Sequence, residues 1–255
     1  MFYYSTFVEY VLCLCLLNQT RMKTIQLITL FGLCLAFQFC SNAAYSQSKD
    51  FLMGKYDYTK DTSFVKVPTQ FARSNVYLKK ETYQAFLRMR AAAFQSGIDL
   101  NIISGTRSFN DQRSKWESKW FASEFAPIKD SQQKVLKLLR WWSMPGTSRH
   151  HWGTDLDLNN MKPAYYQTTA GKKLYNWLLN NAPKFGFQQP FCANRTSGYQ
   201  EEKWHWSYVP LSRNYLKAYI KQVSYADING FKGAQNAKDL ALISNWVLGV
   251  NPRCK

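Results

Sequence analysis

A chain of 255 residues, 46% of them hydrophobic, has enough apolar content for one well-buried domain. Its 33 Lys and Arg outnumber 16 Asp and Glu, and the resulting formal charge of +17 implies polyanionic surroundings. The basic residues are scattered (Lys79-Lys80, Arg88, Arg90, Lys172-Lys173) and no nucleic-acid motif accompanies them. That sets nucleic acid aside as a partner and favours an acidic cell envelope.

Two apolar runs, 7–17 and 25–39, occupy the start of the chain. The second follows Arg21-Met22-Lys23 and leads into a small and polar stretch at 41–48, the order expected of a secretory signal. A membrane span needs about 20 apolar residues, so run 25–39 predicts no stable span after processing. Residues 1–46 are read as a removable signal, with 1–21 an upstream extension before a working start at Met22. Cleavage is expected near Ala44-Tyr45-Ser46. Lipidation at Cys40 is the weaker option, because Gln38 and Phe39 are poor neighbours for a lipoprotein site. Removal takes away Arg21, Lys23 and Glu9 and leaves 31 basic against 15 acidic side chains, a net charge of +16. Cys192 and Cys254 then remain as a pair, for which an oxidising compartment predicts a disulfide.

Residues 47–75 are polar and irregular and read as an extended lead-in. From 80 to 94 the apolar positions Tyr83, Phe86, Leu87, Met89 and Ala93 recur at helical spacing, and Gly97 marks the stop. "IDLNIIS" (98–104) reads as a strand. Ser108 with Asp111 three positions on predicts a capped helix presenting Phe109, Trp116 and Trp120. Another helix is expected over 131–142, broken by Pro145-Gly146. "TDLDL" alternates as a strand after Gly153, a helix follows at 169–181, and "FGFQQPF" reads as a short strand. "KWHWSYV" alternates as a strand, and helices near 211–223 and 237–248 complete the order. Such a mixture predicts an α+β fold, helices packed on a small antiparallel sheet.

The chain's three histidines fall in two stretches, "SRHHWGTDLDLN" and "EEKWHWSY". Catalytic zinc sites use three ligands from His, Asp, Glu or Cys with one position open, so these stretches are either halves of one metal site or hold satisfied core imidazoles. His150 and Asp157, seven residues apart, would sit about 10 Å apart on a straight helix, too far for one ion. A chain reversal at Gly153 would bring them together. In the second stretch a period of two puts His205, Ser207 and Val209 on one face and Trp204, Trp206 and Tyr208 on the other. Glu202 must then lie at a bend before the strand to reach the same site.

"SRHHWGTDLD" matches Ser-x-His-x-x-Gly-x-x-x-Asp, "EKWH" matches Glu-x-Trp-His, and "SGTRSFNDQ" (104–112) precedes both. In this order, over residues 104–208, the motifs resemble the VanY-type D-alanyl-D-alanine carboxypeptidases, among the hedgehog-like zinc peptidases. The resemblance implies a zinc ion held by His150, Asp157 and His205, with Glu202 as general base. It implies that Arg107 holds the substrate carbonyl and that Ser148 and Gln112 line the pocket. His151 is expected to be structural or to support the ligands from behind, Glu201 a solvated neighbour and Trp204 mainly packing. Three positions depart from the usual pattern: Asp155 where the family often has a small residue, Thr106 where it often has tyrosine, and Ser207 where it often has arginine.

The resulting expectation is an exported, monomeric zinc carboxypeptidase with its domain over 76–255, removing a C-terminal D-alanine from peptidoglycan stem peptides. An endopeptidase of the same chemistry is the nearest alternative, and a wall-binding module with structural zinc is the alternative from another class.

Overall fold

The computed structural model describes residues 47–255. The expected signal segment, with Cys40 and the cleavage point, lies outside the described residues. In chain order the regular elements are α1 (Lys49–Leu52), β1 (Phe64–Lys66), β2 (Tyr77–Lys79), α2 (Lys80–Gln95), β3 (Ile102–Ser104), α3 (Phe109–Trp120) and α4 (Ser131–Leu138). They continue with β4 (Asp155–Leu158), α5 (Thr169–Asn181), β5 (Phe187–Gln188), β6 (His205–Tyr208) and α6 (Val209–Gln222). Single helical turns fill most of the connections. Strands β1 and β2 pair as one antiparallel ribbon, and the other four form an antiparallel sheet in the order β3-β4-β6-β5. The fold is α+β.

Alternation along β4 and β6 divides the molecule in two. Leu156, Leu158, Trp204 and Trp206 enter one apolar cluster, which also takes Phe86 and Met89 from α2 and Leu174 and Leu178 from α5. A second cluster collects Trp116, Val135 and Leu138 from α3 and α4, Tyr215 and Tyr219 from α6, and the tail through Val250 and Cys254. Between the clusters, the opposite face of β4 and β6 carries Asp155, Asp157, His205 and Ser207. A polar row buried in this way must find its partners inside the protein.

Several helices form where local signals placed them. Thr168 accepts a hydrogen bond from the backbone N–H of Gly171 and starts α5, which ends before Pro183. Ser108 and Asp111 make the reciprocal capping box of α3. Other elements differ from expectation. The segment 47–75 is not an extended lead-in. It contains α1 and β1 and buries Phe51, Leu52 and Met53 in the second cluster, so the folded unit begins at Gln47 rather than at residue 76. Helix α4 stops at Leu138, and the Arg140 carbonyl is taken by the backbone N–H of Gln200 at 2.9 Å. The helix expected at 237–248 is replaced by irregular turns and a π-helical turn (Ile243–Val247). Ala241 adopts φ +50°, which breaks the i→i−4 ladder there.

The expected disulfide is absent: Cys192 and Cys254 are free thiols. Cys254 is fully buried as a small hydrophobe in the second cluster, and burial pushes its thiol up to about 12. Among the described residues no helix is long and apolar enough to cross a membrane.

Candidate active site

His150 sits in a short 3-10 turn (Arg149–Trp152) capped by the Ser148 hydroxyl, which accepts from the His150 backbone N–H at 3.3 Å. Gly153 ends the turn in the left-handed region at φ +71° and sends the chain back into β4. A Cβ there would lie 2.3 Å from a Phe64 ring carbon, so both the conformation and the contact require glycine. The reversal puts His150 Nε2 3.4 Å from Asp157 Oδ2. In β6, His205 pairs in register with Asp157, and its Nδ1 lies 3.4 Å from Asp157 Oδ1. One ligand atom from each of the three residues lies within 4.8 Å of the other two, and all three residues are buried.

The donor set fits a catalytic zinc ion, which takes two imidazoles and a carboxylate and leaves a position open. The outer nitrogens of both rings are engaged. His150 Nδ1 lies 2.8 Å from the Gly105 carbonyl and His205 Nε2 lies 2.9 Å from Asp155 Oδ2, as metal-binding imidazoles require. Asp157 Oδ1 is buried without a hydrogen-bond partner, an orphaned acceptor facing the shared centre.

Charge balance here is uneven. Burial, followed by the Arg107 charge, lowers His150 to about 4, leaving a neutral imidazole at neutral pH. For Asp157 burial works upward, but His150, His205 and Arg107 prevail and hold it near about 2. Burial also opposes charge on His205, yet its bonds to Asp155 and Glu202 and the Asp157 charge outweigh it and push it up to about 9. The metal-free protein therefore holds a proton on His205 that a zinc ion would displace.

Glu202 lies at the bend before β6, outside the strand's alternation. Its backbone N–H donates to Phe191 O and its carbonyl accepts from His205 N and Gln189 Nε2. The carboxylate comes 3.1 Å from His205 Nδ1, and burial raises its pKa despite the pull of His205. Glu201 is partly exposed and receives the Tyr175 hydroxyl instead. The Arg107 side chain has a buried Nε with no partner; burial lowers its pKa, with Asp157 and Glu202 opposing. Gln112 donates through Nε2 to Ser143 O at 2.7 Å and leaves Oε1 buried and free. Arg107, Gln112, Ser148, Glu202 and the three-residue centre line one cleft of about 690 Å³. His151 lies behind it: the Gly146 N–H donates to its Nε2, its Nδ1 meets the Arg107 carbonyl, and burial lowers it to about 3.

Two contributors were not assigned roles from sequence. Asp155 shares a strand face with Asp157, a signal visible in the alternation, whereas Arg149 gave none because its side chain crosses from another element. The cleft also takes in Lys115, Trp141, Trp142 and Tyr199, which no motif marks.

The family model for VanY, D-alanyl-D-alanine carboxypeptidase, matches residues 75–211 and thus spans all of these motifs. The chain belongs to the VanY family. A D-alanyl-D-alanine carboxypeptidase of Enterococcus faecalis (strain ATCC 700802 / V583) is 31% identical over 122 residues, 47% of this chain and 44% of the relative. The chain thus spans less than half the length of that relative. Among solved structures, VanYB in complex with D-alanine-D-alanine is 21% identical, covering 65% of this chain and 87% of that one, with a TM-score of 0.49. A vancomycin-resistance D,D-pentapeptidase VanY in complex with Zn(II) is 22% identical, covering 64% and 94%, with a TM-score of 0.47.

Proposed function

We propose that this chain is an exported, monomeric zinc carboxypeptidase that removes a C-terminal D-alanine from peptidoglycan stem peptides. The observation that carries the reading is the convergence of His150, Asp157 and His205 on one centre, with the buried Glu202 beside it in the same cleft. Membership of the VanY family supports the substrate class, and the charge of +17 suits an anionic wall.

His150 Nε2, Asp157 and His205 Nδ1 would hold the zinc ion. When bound there, zinc supplies Lewis acidity, polarising a carbonyl and lowering the pKa of water. Glu202, raised above the usual carboxylate range by burial, takes a proton from the attacking water and passes it to the departing amine as the C–N bond breaks. Arg107, which lines the cleft and has a buried Nε without a partner, would stabilise the carbonyl oxygen as negative charge builds. Gln112 Oε1 is free to accept an amide N–H of the peptide, and the Ser148 hydroxyl proton is free to meet its terminal carboxylate. A structural zinc site would need neither Glu202 nor Arg107.

The test is digestion of purified muropeptides with product masses determined. Release of a single D-alanine is expected. Cleavage within the stem or a cross-bridge would instead establish the endopeptidase, and no cleavage with full zinc loading would overturn the enzymatic reading.

A further inference from the structure

Behind His205 lies an acid with no place in the chemistry above. Asp155 is fully buried, and each of its oxygens is engaged. Oδ2 accepts from Arg149 Nε at 2.9 Å and lies 2.9 Å from His205 Nε2. Oδ1 lies 2.8 Å from both Thr154 Oγ1 and Ser207 Oγ. Arg149 is itself buried and donates through Nη2 to Ser207 Oγ at 2.6 Å. Asp155 and Ser207, two positions at which the sequence departs from its family's usual pattern, are register partners on adjacent strands. With Arg149 they form one cluster.

Enclosing an ion pair this deeply is a poor way to gain stability, since well-packed apolar residues of similar volume serve as well or better. The cluster is better explained by what it does to the ring. A neutral imidazole carries its proton on either nitrogen, and the partner of one nitrogen decides which. A carboxylate at Nε2 keeps the proton there and leaves the Nδ1 lone pair facing Asp157. Three neighbours other than the ring, Arg149, Thr154 and Ser207, fix Asp155, and Asp155 in turn fixes the plane of the ring.

We propose that Asp155, anchored by Arg149, Ser207 and Thr154, is a positioning residue that locks His205 as the Nε2–H tautomer and aims Nδ1 into the three-residue centre. The assignment rests on the reading of that centre as a zinc site.

The test measures zinc dissociation constants by chelator competition, together with the ¹⁵N-edited imidazole spectrum of the zinc-loaded protein. Asp155→Ala alone would strand a buried Arg149, so the informative variant is the double Arg149→Met/Asp155→Ala, which removes the ion pair as a unit. With melting temperature close to the parent's, it should bind zinc about 10–100-fold more weakly, the range for loss of a ligand's supporting partner. The sheltered Nε2–H resonance of His205 should disappear with it. Asp155→Asn retains an acceptor for that proton and should recover part of both signals, a rescue that a purely structural role does not predict. A folded double variant within about threefold of the parent's affinity overturns the proposal. If the double variant does not fold, Asp155→Asn decides, and unchanged zinc affinity with an unchanged Nε2–H resonance overturns it. A parent protein that takes up no zinc overturns the functional reading itself and this inference with it.

Discussion

Two adjacent glutamates differ by one peptide bond and by their whole environment. Glu202 is enclosed beside His205, whereas Glu201 is partly exposed and meets Tyr175. Glu202→Gln should retain zinc and lose activity by about 10²–10⁴-fold, the usual worth of a general base. Glu201→Gln should stay near the parent, and equal losses in the two variants would remove the assignment. His205 makes a second prediction. Its metal-free pKa of about 9 lies above the value of about 6.5 for an exposed imidazole. Its proton therefore stabilises the metal-free fold fully below pH about 6.5, and that contribution is lost as pH rises through about 9. Zinc must displace the proton, while His150 is already neutral and Asp157 already ionised. Apparent zinc affinity should rise about tenfold per pH unit between about pH 6 and 8 and level off above about 9. Competition titrations across that range measure it, and a flat profile would show that His205 is neutral before zinc arrives.

At the scale of elements, the parts legible in the sequence are those whose signals are local. Thr168 and Pro183 bracket α5, and Ser108 with Asp111 announces α3. The strands are harder, because their limits depend on partners far along the chain. "IDLNIIS" reads as seven extended residues, yet only Ile102–Ser104 pair with β4, and Ile98 N–H instead closes the end of α2 on Ala93 O. Segment 47–75 carries Phe51, Leu52 and Met53 as a run too short to show a period, so nothing local revealed its burial. Replacing Phe51 by Ala should cost about 3–5 kcal/mol, the range for a buried aromatic side chain. Denaturant unfolding would measure it, and a loss under about 0.5 kcal/mol, the scale of a surface substitution, would contradict the packing described. The reversal at Gly153 is a second element with one critical position. Gly153→Ala should cost about 1–3 kcal/mol from the left-handed backbone alone. Zinc affinity should fall too, because that turn presents His150 to Asp157. Parent-like stability and affinity would mean the turn tolerates a side chain.

Across the whole molecule, the proximity of His150, Asp157, His205 and Glu202 was legible because each occupies a motif position. The supports behind them were not, because Arg149 reaches Asp155 and Ser207 through space rather than along a strand. If zinc binds the folded state alone, loading at 100 times the dissociation constant adds about 2.7 kcal/mol. For a domain of about 200 residues that should raise the melting temperature by roughly 5–10 °C. Calorimetry before and after chelation tests this, with His150→Ala as the control that should show no shift. The strand order β3-β4-β6-β5 has a consequence for synthesis. The strand that lies between β4 and β5 is made after both. A nascent chain stopped before residue 205 already carries Arg107, His150 and Asp157, but its half-built sheet exposes the unpaired edge of β4. Such an edge invites aggregation and attracts proteases. Under the zinc reading proposed above, a fragment ending there would lack one of the three proposed ligands as well as the strand that covers β4, so the missing piece that leaves it without a complete centre is also the one that leaves its edge exposed.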